Sequence, residues 1–148
     1  MHAAVVQKLG TPPRCERFPE PIAGANEIIV HVLAASLKPV DKQMVAGSHY
    51  ASPRSLPFIC GTDGVGRLES GERVFFGGCR TPYGAMAQLT VVPTGFVFPI
   101  PPSLSDEAAR RSLTPEYQHG LPSHFGQNYV LERTSSSSVR QVLRDNWL

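Results

Sequence analysis

Asn26-Glu27-Ile28-Ile29-Val30-His31-Val32-Leu33-Ala34-Ala35, followed at once by Ser36-Leu37-Lys38-Pro39-Val40-Asp41, is the stretch whose reading decides the fold. Its first ten residues are β-branched and apolar with few interruptions, which predicts a strand buried on both faces. Proline at 39 then favours a helix start, since its fixed φ suits the first helical position. A short helix is predicted over Pro39–Ala46, stopped by Gly47. The segments around this core read as further short strands. These are His2 to Lys8, Cys15 to Phe18, Thr62 to Glu69, Glu72 to Phe76, Ala85 to Val92 and Phe96 to Phe98. Thr11-Pro12-Pro13, Pro19-Glu20-Pro21, Ser70-Gly71 and Pro93 separate them. Short strands divided by Gly and Pro turns imply a mainly β protein, a small and partly open β-barrel or sandwich with short helices.

Composition agrees. The chain has 148 residues, with 13 Gly and 14 Pro, which points to turns and away from a helical bundle. A net charge of +2 gives no strong pull toward nucleic acid or membrane, and no apolar run is long enough to cross a bilayer. The opening Met1-His2-Ala3-Ala4-Val5-Val6 lacks the pattern of a secretory leader. Three cysteines, an odd number, argue against a disulfide scaffold, so a cytoplasmic location is expected.

Three constellations bear on chemistry. Cys15, Cys60 and Cys79 are far apart, with no Cys-x-x-Cys pair, so a zinc site is not expected and incidental thiols are the favoured reading. Gly61, Gly64 and Gly66 are followed by Arg67-Leu68-Glu69 rather than by a helix. They read as glycines that let the backbone bend between strands, not as a dinucleotide fingerprint. Lys38 to Asp41 is a polar cluster beside a rigid strand, a place for substrate contacts. Its alternative is a plain helix start, with Lys38 exposed and Asp41 capping. Tyr50 and Asp63 carry the same two readings.

The ordered set of segments resembles the N-terminal catalytic domain of the medium-chain dehydrogenase/reductase superfamily, in its quinone oxidoreductase branch. Its pieces are the start Met1 to Val6, Asn26 to Val32 and Leu37-Lys38-Pro39-Val40-Asp41. Leu56-Pro57-Phe58-Ile59-Cys60-Gly61-Thr62-Asp63, Gly71-Glu72-Arg73-Val74 and Tyr83-Gly84-Ala85-Met86-Ala87-Gln88 continue it. Pro99-Ile100-Pro101 and Ser105-Asp106-Glu107-Ala108-Ala109 complete it. The resemblance covers residues 1–109 and implies a GroES-like domain. It also implies NADPH as cofactor and a quinone or enone as the small-molecule substrate. The zinc-dependent branch carries Cys near the position of Lys38 and Gly-His-Glu near Gly61-Thr62-Asp63; their absence points to the zinc-free branch. Lys38 stands where Asn is typical of that branch, and the turn between Leu68 and Gly71 is shorter than usual. Lys38, Asp41, Tyr50 and Asp63 become the expected substrate and cofactor side of the cleft, with no general acid assigned and an oligomer possible. The alternative is a stand-alone GroES-like binding or co-chaperone-like module.

Residues 110–148 break the pattern. Alanine occurs 12 times before position 110 and never after it. Residues 1–109 carry 9 basic and 9 acidic side chains, whereas the tail carries 5 arginines and 3 acidic residues. Nothing in the tail resembles the Rossmann domain that complete family members carry next, and His119 and His124 lack thiol or acidic partners nearby. A second reading frame does supply it. With suitable synonymous codons, Thr134 to Asp145 spells VLILGATGVTG when shifted, an apolar strand entering a glycine-rich turn. The same shift at Ala109 to Asn128 permits AAFPNPGVSAWASLTFRAK. The tail is therefore expected to be an out-of-frame translation, irregular or disordered with loose helix near Val139 to Leu143, on a truncated and inactive oxidoreductase. The rival is a natural low-complexity tail whose Ser135–Ser138 run and arginines suit phosphorylation or weak anion binding.

Overall fold

The computed structural model describes residues 1–105. The expected helix start at Ser105-Asp106-Glu107, the frame break and the loose helix near Val139 lie wholly or mostly outside the described residues.

The architecture is two open β-sheets with one α-helix. In chain order the elements are β1 His2–Val6, β2 Arg14–Arg17, β3 Glu27–Ala35, α1 Pro39–Ala46, β4 Phe58–Ile59, β5 Asp63–Arg67, β6 Arg73–Gly77, β7 Leu89–Pro93 and β8 Val97–Pro99, with a 3-10 turn at Thr94–Phe96. One sheet has the order β2-β1-β4 and the other β7-β3-β5-β6-β8, and all pairings are antiparallel. β3 is the inner strand that the apolar run predicts. Its register joins Glu27 to Pro93 and His31 to Leu89 on one side, and His31 to Arg67 and Ala35 to Gly64 on the other.

Burial along β3 corrects the two-faced expectation. Val30, Ala34 and Ala35 are buried, but His31 is exposed and Ile28, Ile29 and Val32 are half-buried. Ile28, Val30 and Val32 face the main core with Phe58, Val74, Phe76 and Val92. A bulge between Val32 and Ala34 then turns the strand, so Leu33 and Ala34 pack with Val65, Phe75 and Ile100 on the other face. Burial on both faces belongs to β1 instead: Ala4 and Val6 enter the main core, while Ala3 and Val5 meet Ile59 and Ala87.

The glycine reading is corrected in part. Gly61 has φ +100 and makes a bend before β5, as expected. Gly64 and Gly66 lie inside β5, where no bend is needed. A Cβ on Gly64 would stand 2.4 Å from the Ala34 carbonyl oxygen, and one on Gly66 2.4 Å from Val30 Cγ1. The missing side chains let β5 lie close against β3. Other boundaries move by a few residues. β1 stops at Val6, β7 begins at Leu89 with Ala87 held only by an isolated bridge to Ala3, and Thr94–Phe96 is a 3-10 turn before β8. β4 was not predicted from the sequence; two residues are too short a run to signal a strand.

Candidate functional site

The site grows from the junction of β3, α1 and β5. Pro39 opens α1, and the Lys38 backbone N–H donates to Asp41 Oδ2 at 2.7 Å, the return half of a capping box. Gly47 closes the helix with φ +75, its N–H donating to the Met44 carbonyl at 3.1 Å. Asp41 therefore caps as expected, but Lys38 is not an exposed residue. Its ammonium is paired with Asp63 Oδ2, and the two side chains are only 12% and 6% exposed. Ser36, just after the end of β3, donates to Asp63 Oδ1 at 3.1 Å. The carboxylate of Asp63 is thus satisfied from two directions, as burial of a charge requires.

Asp41 is the less settled group. It is 1% exposed, and while Oδ2 takes the Lys38 N–H, Oδ1 has no hydrogen-bond partner. Burial pushes its carboxyl up to about 6; the Lys38 backbone N–H pulls down, Asp63 pushes up, and the nearby Thr62 side chain and Lys38 charge pull down. Asp41 forms part of the wall of a cavity of about 300 Å³. The floor is apolar and buried, with Phe58, Ile59 and Cys60, whereas Ala51, Gly78 and Thr81 at the rim are exposed. Tyr83 forms one wall and is anchored from behind. Its ring meets Phe18 edge-on at 5.9 Å, and its hydroxyl donates to the Glu20 carbonyl at 3.3 Å. Arg80, over the same ring at 5.8 Å, is fixed by Glu27 at 2.9 Å.

Of the four residues singled out in the sequence, Lys38, Asp41 and Asp63 come together, and Asp41 alone lines the cavity. Tyr50 is 96% exposed, with its ring tilted against His49 at 4.3 Å. His49 does line the cavity, as do Met44, Thr62 and Cys79, none of which the sequence singled out for this site. Their signal was absent because they come from separate segments that only the fold assembles. The thiols are not poised nucleophiles. Burial and then the charge of Asp41 push Cys60 far up, and burial raises Cys79 to about 12. Among the described residues no three His, Cys, Asp or Glu side chains are grouped to hold a metal ion, and no helix is long and apolar enough to cross a membrane.

At α1 the N-terminal end carries Pro39, and the Lys38 N–H there is taken up by the Asp41 side chain, so this end is not the cradle of free N–H groups with which a helix holds a dinucleotide pyrophosphate. The arrangement is a small cavity with apolar surface from Met44, Phe58, Ile59 and Cys60 and with Asp41, His49, Thr62 and Tyr83 among the polar residues that line it.

The profile of the alcohol dehydrogenase GroES-like domain matches residues 24–102, more than half of the chain. The chain belongs to that family. Its fold is that of the N-terminal domain of the medium-chain dehydrogenase/reductase superfamily. Among solved structures, it is similar to the quinone oxidoreductase from Thermus thermophilus, described also in complex with NADPH. The identity is 34% and the TM-score 0.68, over 78% of this chain and 37% of that one. A mycobacterial quinone oxidoreductase is 25% identical, with a TM-score of 0.68 over 76% of this chain and 37% of its own. The quinone oxidoreductase from Coxiella burnetii, at 22% identity, TM-score 0.67 and 75% and 40% coverage, shares the fold. Comparison with the curated proteins finds no match. The chain spans about two fifths of the length of the solved structures that it resembles.

Proposed function

We propose that residues 1–109 are the substrate-side domain of a zinc-independent, NADPH-dependent quinone or enone oxidoreductase. The observation that carries the reading is the cavity lined by Asp41, set in a GroES-like domain whose solved counterparts include a quinone oxidoreductase at 34% identity. In this reading each site residue has a role that its position supports. Lys38 and Asp63 hold the junction of β3, α1 and β5 rigid. Asp41 is one of the polar residues of the lining, and Phe58, Met44 and Tyr83 supply apolar surface for a ring. NADPH supplies the hydride in such chemistry. The N-terminus of α1, with Pro39 and the bonded Lys38 N–H, is not a pyrophosphate site, and in this reading Lys38, Asp41 and Asp63 belong to the substrate side of the cleft.

In this reading residues 110–148 are an out-of-frame translation, and the chain as it stands is inactive. The composition break at Ala109 and the VLILGATGVTG reading of residues 134–145 support it. Two measurements test the proposal. The gene is sequenced across codons 134–145, and NADPH oxidation by quinones is followed for this chain and for a frame-restored chain. Turnover by the restored chain alone is the expected outcome. Turnover by the chain as it stands, codons incompatible with the shifted frame, or an inert restored chain each overturn it.

A further inference from the structure

Most side-chain donors on the cavity lining are already spent. The Thr62 side chain is hydrogen-bonded to Asp41, and the Tyr83 hydroxyl donates to the Glu20 carbonyl at 3.3 Å. The Cys60 thiol meets the Ala4 carbonyl and the Met86 sulfur at 3.5 and 3.4 Å, and the Cys79 thiol meets the Thr62 carbonyl at 3.9 Å. Thiols are weak donors in any case. Two side chains of the lining remain, Thr81 on the exposed rim and the half-buried His49.

His49 is preset as a donor. Its Nδ1 accepts the backbone N–H of Ala51 at 3.1 Å. A backbone amide can only donate, so Nδ1 carries a lone pair and the proton of the neutral ring stands on Nε2. The ring is also held against Tyr50, with centroids 4.3 Å apart, while Tyr50 itself is 96% exposed. One nitrogen and the Tyr50 contact thus fix the tautomer and orient the ring, and Nε2 has no partner among the described residues. A residue so arranged on a cavity lined by Phe58, Met44 and Pro82 suits a flat apolar molecule that carries one hydrogen-bond acceptor.

We propose that His49 is the specificity-determining donor of this cavity, its Nε2–H bonding the carbonyl oxygen of a flat ligand. The preference is for an acceptor over an apolar group of the same shape, because an empty Nε2–H must lose water when an apolar ligand covers it. This deepens the oxidoreductase reading by giving its substrate carbonyl a partner. That link rests on the reading; the assignment of His49 as donor does not.

The probe pair is 2-acetylnaphthalene and 2-isopropenylnaphthalene, which share a shape and differ in C=O against C=CH2. Both are titrated at pH 8 into the full chain, His49→Phe and Thr81→Val, and the ratio of the two affinities is read for each. Taking the ratio cancels the difference in hydrophobicity between the probes. The expected result is a ketone preference that falls about fivefold in His49→Phe, the worth of one neutral hydrogen bond, and is kept in Thr81→Val. A second measurement needs no variant to bind. In nitrogen-15 spectra of the imidazoles, the resonances missing from His49→Phe are those of His49. They are expected to show the proton on Nε2, with Nε2 shifted by the ketone and not by the alkene. No binding of the ketone, an unchanged ratio in His49→Phe, an equal fall in Thr81→Val, or a proton on Nδ1 overturns the proposal. No NADPH enters this experiment. An inert frame-restored enzyme with an intact, His49-dependent preference therefore refutes the oxidoreductase reading alone, and turnover without that preference refutes the donor assignment alone.

Discussion

Lys38 and Asp63 show why a buried ion pair is weak evidence of stabilisation yet expensive to break. Each charge loses water on burial, and the pair recovers that cost through its contact and the Ser36 hydroxyl. Lys38→Met leaves the carboxylate with Ser36 alone, and a loss of about 3–5 kcal/mol in urea unfolding is expected. Lys38→Met combined with Asp63→Asn removes the stranded charge and is expected to recover more than half of that loss; a double variant no more stable than the single one refutes the argument. Asp41 works in the opposite sense. Its carboxyl titrates at 3.8 in the unfolded chain and near 6 when folded, so the native state holds the proton more tightly. Its contribution favours folding below about pH 4 and is lost as pH rises through 6. The full difference corresponds to about 3 kcal/mol. Asp41→Asn keeps an acceptor for the Lys38 N–H and removes the charge. It is expected to raise stability at pH 8 by about 1–3 kcal/mol and to change little at pH 4. A shift of equal size at both pH values in thermal unfolding contradicts this.

At the scale of the elements, what the sequence made legible was what local chemistry dictates. The β-branched run at 27–35, the proline start of α1, its glycine stop and the Ser70-Gly71 turn between β5 and β6 all stand where their residue types put them. What stayed illegible depends on partners distant in the chain. The exposure of His31 and the bulge after Val32 arise from pairing with β5 and β7, and β4 exists only because β1 is there to pair with it. The cavity is the extreme case: Asp41 was visible as a polar residue by a helix start, but nothing local revealed that it would line a cavity together with residues from 44–62 and 78–83. Gly64 and Gly66 were visible as glycines, and their purpose was not, because the close contact they permit is with β3. Gly66→Ala tests that purpose. The new methyl would meet Val30 Cγ1 at 2.4 Å and the His31 carbonyl oxygen at 2.5 Å, between two strands that cannot move apart without losing the register. A destabilisation of about 1–3 kcal/mol or more is expected, read as a lower midpoint of guanidinium unfolding. An unchanged midpoint would show that β5 has room to shift.

At the scale of the whole molecule, the decisive property is what the two sheets leave exposed among the described residues. β8 is an edge strand of the five-stranded sheet, and it carries Phe98, 48% exposed, beside Phe96, 54% exposed. Phe98 packs only loosely on Phe75, with ring centroids 6.5 Å apart, and Ile22 and Leu56 are also exposed. An edge that no strand among the described residues pairs with, carrying aromatic side chains, offers both backbone groups and apolar area, the two ingredients of edge-to-edge association. The charge pattern does little to oppose it, since the net charge is only +2. The purified chain is therefore expected to associate as its concentration rises, seen in sedimentation velocity as a growing fraction heavier than the monomer. Phe96→Ser together with Phe98→Ser removes the apolar area and leaves the backbone edge in place. The double variant is expected to move the onset of association at least about tenfold higher in concentration, with unfolding little altered because both rings are half in solvent. If instead the double variant associates like the parent, the backbone edge rather than the rings drives assembly, and a proline at Val97, which would remove an edge donor, becomes the change that separates the two causes.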